Sequence, residues 1–161
     1  MKVIGLTGPS GAGKTLFCKF AERCGVPSID ADRIYHDLLV PPSPCLDEIV
    51  AAFGREVLSA NGTLNRAALA ALVFGQSETS RTKLALLNRI THKYVTEKIR
   101  ARLKEEEGRG TPAVLVDAPA LFESEFDKSC DCTVALLATP ETRRKRIMER
   151  DSLSGEKADQ R

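Results

Sequence analysis

The sequence predicts an α/β fold built on a parallel, doubly wound sheet. Three observations carry this. Short apolar segments alternate with stretches of helical periodicity, as strand–helix–strand units do. Two of those segments, Ala113–Asp117 and Asp131–Ala138, are near-continuous apolar runs, which is typical of strands buried on both faces. A glycine-rich segment, Gly8–Gly13, joins the first strand to the first helix, the position at which such sheets turn their backbone toward a ligand.

The elements follow in order. Lys2–Thr7 is short, apolar and partly β-branched, and reads as a strand. A helix is expected from about Gly13 to Cys24, with Leu16, Phe17, Phe20, Ala21 and Cys24 inward and Lys19, Glu22 and Arg23 outward. Gly25 stops it. Pro27–Asp30 reads as a second strand, and Ala31–Leu39 as a helix whose apolar residues are Ile34, Leu38 and Leu39. The stiff Pro41–Pro44 break precedes a helix from Cys45 to Phe53. Residues 54–66 are irregular around the Asn61–Gly62 turn, and Asn65 caps a helix reaching Phe74. Leu84, Leu87, Ile90, Val95, Ile99 and Leu103 set the period of a long helix from Glu78 to Glu107. No strand signal falls in this stretch, so it reads as a helical insertion. Beyond Gly108 come the strand Ala113–Asp117, a short helix or loop at Leu121–Glu123, and the strand Asp131–Ala138. Pro140 opens a basic helix through Arg150, and Ser154 is placed to cap one more.

Composition narrows the function classes. The 161 residues suit one domain, and 42% hydrophobic with 29% charged residues is ordinary for a soluble globular protein. Lys and Arg number 24 against 22 Asp and Glu, a net charge of +2, so no bulk electrostatic attraction to nucleic acid or anionic membrane is expected. Tryptophan is absent and tyrosine occurs twice, which leaves few stacking platforms for single strands. The longest apolar run, Ala67–Phe74, is too short for a bilayer. No secretory signal is visible, and the five scattered cysteines suggest reduced thiols in the cytoplasm. Cys130 and Cys132 lack a second clustered pair, so no structural zinc is expected.

The chemistry sits first in Gly8-Pro9-Ser10-Gly11-Ala12-Gly13-Lys14-Thr15, which matches G-x-x-x-x-G-K-[ST]. Its glycines let successive N–H groups face one cavity and hold phosphate oxygens, and the helix starting there adds its positive end. Lys14 is expected on the β- and γ-phosphates of ATP and the Thr15 hydroxyl on Mg²⁺, with Gly8, Gly11, Ala12, Gly13 and Leu16 lining the nucleotide. Asp30 and Asp32 close the second strand, where binding crevices of doubly wound sheets lie. One could take the proton of an acceptor hydroxyl and the other act on Mg²⁺ through water, or either could cap the next helix. Asp117 ends an apolar strand, the form of a second magnesium-holding motif. Arg143, Arg146 and Arg150 share one helix face and could close on transferring phosphates, unless they form a solvated basic face.

Together these residues resemble the dephospho-coenzyme A kinases. The matching features are Gly5-Leu6-Thr7-Gly8 into the loop, Asp30-Ala31-Asp32, Phe53-Gly54, Leu64-Asn65-Arg66, His92, Pro119-x-Leu121-Phe122-Glu123, and Arg146 with Arg150. Lys93 departs from the proline that usually follows the family's histidine, Ala120 from its leucine, and Arg143 from its frequent glutamine.

The resemblance implies a three-layer P-loop NTPase fold with an α-helical acceptor-binding insertion. Residues 1–40 and 111–138 would form the nucleotide core, 41–110 the insertion, and 139–161 a lid and the start of a truncated C-terminal part. It implies phosphorylation of the ribose 3′-hydroxyl of dephospho-coenzyme A by ATP with Mg²⁺. Lys14, Asp32 and Arg146 would be catalytic. Asp30, Asp32, Arg66, His92, Leu121, Phe122 and Glu123 would contact the acceptor, and Thr15 and Asp117 the metal. The family's sheet has a fifth strand after the lid, so a C-terminal strand is expected to be missing. A different nucleoside or nucleoside monophosphate kinase, or a nucleotide-binding module without turnover, is the alternative; no N-K-x-D guanine-reading motif is present.

Overall fold

A computed structural model describes residues 1–159. The chain divides into two compact units, Met1–Ala31 with the chain from Arg102 onward, and Asp32–Ala101.

The first unit is built on a four-stranded, wholly parallel sheet. Its strands are β1 (Lys2–Thr7), β2 (Ser28–Asp30), β3 (Ala113–Asp117) and β4 (Cys132–Ala135), in the order β2-β3-β1-β4. Leu6 and Asp30 both lie in register with Asp117, so β1, β2 and β3 end side by side at their carboxyl ends. That alignment brings the phosphate loop and two strand-end carboxylates to one rim of the sheet. Helix α1 (Lys14–Arg23) covers the sheet through a core of Leu6, Cys18 and Leu115, joined by Phe17, Ala21 and Val26. Val114, Leu115 and Val116 are almost fully buried, which is what their unbroken apolar run requires.

Two expectations need correction. Leu16 and Phe20 do not face inward: they are 73% and 64% exposed, and Cys24 is also exposed. The helix seats on Phe17, Cys18 and Ala21, and Leu16 and Phe20 lie about a quarter of a turn or more away from the centre of that stripe. Likewise β4 is shorter than Asp131–Ala138 and is not buried on both faces. It is the outer strand in the order, and Cys132, Thr133 and Ala135 are exposed. The segment expected to be a lid forms α6 (Pro140–Asp151), capped by the Thr139 hydroxyl accepting from the Thr142 N–H, followed by α7 (Gly155–Asp159).

The second unit is helical. It contains α2 (Ala31–Leu38, entering from the first unit), α3 (Pro44–Phe53), α4 (Arg66–Val73) and most of α5 (Glu78–Gly108). Ile34, Leu39, Ile49, Val57 and Ile90 are buried. The Ser43 hydroxyl caps α3 by accepting from the Leu46 N–H, and it donates to the Leu38 carbonyl. The Asn65 carboxamide oxygen caps α4, accepting from the Ala68 N–H at 3.1 Å. The irregular stretch between them holds a short 3-10 turn at Arg55–Val57 and an antiparallel bridge from Leu58 to Leu64, closed over Asn61–Gly62. No helix among the described residues is long and apolar enough to cross a membrane.

Candidate active site

The phosphate loop leaves β1 at Thr7 and enters α1 at Lys14. Two of its glycines are required by close approach. Gly8 has φ +143°, and a Cβ there would run into the Leu136 carbonyl oxygen. Gly11 has φ +78°, and a Cβ there would stand 2.8 Å from the Arg143 carbonyl oxygen, so α6 touches the loop only because Gly11 has no side chain.

Every carbonyl from Gly8 to Gly13 receives a hydrogen bond. Lys14 Nζ donates to Gly8 O at 2.7 Å. The Ala12 N–H donates to Pro9 O at 3.1 Å, and the Leu16 and Phe17 N–H groups donate to Gly13 O at 3.1 Å. Arg143 Nε donates to Ser10 O at 2.9 Å. Arg146 Nη1 spans Gly11 O and Ala12 O at 3.1 and 3.2 Å. Arg150 is forked onto Asp151, at 2.7 and 2.9 Å, and reaches the Ser10 hydroxyl at 3.4 Å. The expected lid arginines are therefore gathered on the loop, with Arg143 on one carbonyl, Arg146 on two, and Arg150 partly offset by Asp151. The first turn of α1 carries no acidic residue, which suits an anion at that helix end.

Asp30 and Asp117 meet at the ends of β2 and β3. Asp117 Oδ1 is buried, and Oδ2 accepts a long, weak hydrogen bond from the Cys18 thiol at 3.9 Å. Burial first, and the Asp117 charge second, push the Cys18 thiol up to about 11, so it stays protonated at neutral pH and donates. Thr15, Asp30 and Asp117 offer oxygen donors of the kind a hard divalent cation takes. No cluster of three or more His, Cys, Asp or Glu side chains with metal-ligand placement occurs among the described residues.

The other expected residues are placed as follows. Leu121 is wholly buried, and a Cβ built on Gly5 would come within 2.9 Å of it, so its side chain packs the core. Phe122 is 55% exposed and Glu123 is exposed. In the second unit, Asp32 stands exposed in the first turn of α2, Arg66 is the first residue of α4, and His92 is half-buried on α5. Arg66 Nη2 lies 2.9 Å from His36 Nδ1. Lys93, where the family pattern has proline, binds Glu48 of α3 at 3.0 Å, and the Tyr94 hydroxyl donates to the same carboxylate oxygen at 2.7 Å. Those bonds hold the Glu48 carboxyl below its usual range. The substitution thus serves a helix–helix link. The Cys18–Asp117 and His36–Arg66 pairs, and the anchoring by Arg143, carry no sequence signal, because each joins residues far apart in the chain.

A family model described as dephospho-CoA kinase matches residues 2–161. A dephospho-CoA kinase of Listeria monocytogenes is 40% identical over 157 residues, covering 98% of this chain and 76% of the relative. Among solved structures, TT1252 from Thermus thermophilus is similar with a TM-score of 0.76 and 30% identity, covering 98% of this chain and 76% of that one. Dephospho-CoA kinase from Campylobacter jejuni is similar with a TM-score of 0.66 and 28% identity, covering 99% of this chain and 78% of that one. The chain thus spans about three quarters of the length of the relatives it matches.

Proposed function

The chain belongs to the dephospho-CoA kinase family, and we propose that it moves the γ-phosphate of ATP to the ribose 3′-hydroxyl of dephospho-CoA, giving coenzyme A and ADP. The observation that carries this is the loop between β1 and α1, whose peptides are fixed from their carbonyl side and whose helix end is free of acids. Such a loop receives phosphates on its N–H side.

Phosphoryl transfer needs little covalent help from the protein, so positioning and charge dominate. Loop N–H groups and Lys14 bind the β- and γ-phosphates. Arg146 keeps Nη1 on the loop carbonyls and offers its remaining N–H groups to the transferring group, where they stabilise charge that grows in the transition state. Asp32 accepts the hydrogen bond of the 3′-hydroxyl, orients its lone pair for in-line attack, and takes the proton as the new P–O bond forms. Arg66 and His92 hold the acceptor, Phe122 and Glu123 also contact it, and Arg150 adds charge to the lid. Thr15 and Asp117, with Asp30 near, would hold Mg²⁺, whose contribution is to neutralise phosphate charge. The near-neutral net charge fits a small-molecule acceptor rather than nucleic acid, and the five free thiols fit a reducing cytoplasm.

A coupled ADP-release assay with ATP, Mg²⁺ and an acceptor panel tests this. Turnover is expected with dephospho-CoA and not with AMP or CMP. Turnover with AMP or CMP alone would overturn the acceptor assignment. ATP binding without ADP release on addition of acceptor and Mg²⁺ would make the chain a binding module.

A further inference from the structure

Arg66 opens α4, the end of a helix at which a cation is least favoured. No acidic side chain in the first turn of α4 offsets that cost. A guanidinium at a helix N-terminus is suited instead to an incoming anion, and the acceptor of the proposed reaction carries a diphosphate.

The guanidinium meets an imidazole. Its Nη2 lies 2.9 Å from Nδ1 of His36, on α2. Arginine has donors only, so Nδ1 must be the acceptor, and the neutral imidazole carries its proton on Nε2. The Tyr35 ring stands 5.6 Å from the imidazole at a 53° tilt. A carboxylate at this place would bind Arg66 more strongly but would cancel the charge that the diphosphate needs. A neutral imidazole orients the guanidinium and leaves its charge intact.

We propose that His36 is a positioning residue for acceptor binding: its unprotonated Nδ1 aims the Arg66 guanidinium at the acceptor's diphosphate without neutralising it. This rests on the assignment of Arg66 to the acceptor made above.

The test compares His36→Ala, His36→Asn and His36→Asp with Arg66→Ala and the His36→Ala/Arg66→Ala double variant. Both positions are exposed, and thermal melts check that each variant folds. The readouts are KM for dephospho-CoA, KM for ATP, kcat, and acceptor affinity by calorimetry. His36→Ala is expected to raise KM for dephospho-CoA about fivefold, the scale of one charge-assisted hydrogen bond partly open to water, with kcat and KM for ATP unmoved. His36→Asn, which puts an amide oxygen near the Nδ1 position, rescues that loss. His36→Asp has the same shape but a negative charge, and raises KM at least as far as His36→Ala. In the Arg66→Ala background, His36→Ala adds nothing. Imidazole nitrogen NMR finds the proton on Nε2. Equal KM values for the Asn and Asp variants, a proton on Nδ1, or an unaffected His36→Ala beside an impaired Arg66→Ala would overturn the role of His36 and leave that of Arg66 standing. An unaffected Arg66→Ala would instead remove Arg66 from the acceptor site.

Discussion

Gly11→Ala tests the contact between α6 and the loop, and Gly25→Ala is its internal control. The two glycines have nearly the same φ, +78° and +80°. An alanine therefore suffers similar backbone strain at either place, about 1 kcal/mol. The spaces around them differ. A Cβ at Gly25 meets nothing within 4 Å, whereas at Gly11 it stands 2.8 Å from Arg143 O and 3.0 Å from Arg143 Cα. Those are backbone atoms of α6, so relief requires the helix to move rather than a side chain to rotate. Overpacking of this kind costs about 1–3 kcal/mol. The total for Gly11→Ala is then about 2–4 kcal/mol against about 1 kcal/mol for Gly25→Ala. In a chain of this size that separates the melting points, with losses of roughly 5–15 °C and 2–4 °C. Displacing α6 also loosens Arg143 from Ser10 O and Arg146 from Gly11 O. ATP affinity should fall about tenfold or more in Gly11→Ala, since 1.4 kcal/mol is a factor of ten, and stay level in Gly25→Ala. Scanning calorimetry and a nucleotide titration measure both quantities. Equal melting losses with equal ATP affinities would refute the seating of α6 on the loop.

Three further outcomes are expected. Asp32→Asn keeps ATP binding but slows transfer about 10²–10⁴-fold, measured by single-turnover ADP release; an unchanged rate removes Asp32 from the mechanism. Leu121→Ala leaves a cavity costing about 2–5 kcal/mol in urea unfolding, while Phe122→Ala, at a 55% exposed side chain, changes stability little and raises KM for the acceptor; the reverse pattern would exchange their roles. Burial pushes the thiols of Cys18, Cys45 and Cys130 up to about 11, so at pH 8 only about one in a thousand of each is the reactive thiolate. Iodoacetamide followed by mass mapping should therefore label the exposed Cys24 and Cys132 first, with the other three following only as the pH climbs toward 11. Prompt labelling of native Cys18 at pH 8 contradicts its packing.

The parts legible in the sequence are those that local chemistry decides. Lys2–Thr7 and Ala113–Asp117 form strands with the expected bounds because unbroken apolar runs at those lengths have few other homes. Asn65 caps α4 as expected because a short carboxamide before an apolar run satisfies N–H groups the helix leaves open. Burial is less local. Phe17, Cys18 and Ala21 compete with Leu16 and Phe20 for the inward face of α1, and periodicity alone cannot say which stripe the sheet selects. Leu121 lies in a motif suggestive of substrate contact, yet the approach of Gly5 turns it into core. The partners of Arg66 and Asp117 lie 30 and 99 residues away, beyond any pattern a single chain displays.

The donors on the loop carbonyls have a further consequence. A peptide plane held by its oxygen has little freedom to rotate, and six consecutive planes here are held at once. The entropy of ordering the loop is thus lost during folding, before any nucleotide arrives. A preorganised set of amide dipoles does not have to reorient as charge shifts along the reaction coordinate, so less of the binding energy is diverted into shaping the receptor. In kinetic terms, nucleotide capture should resemble docking to a rigid surface, with an association rate governed by encounter and charge rather than by loop rearrangement.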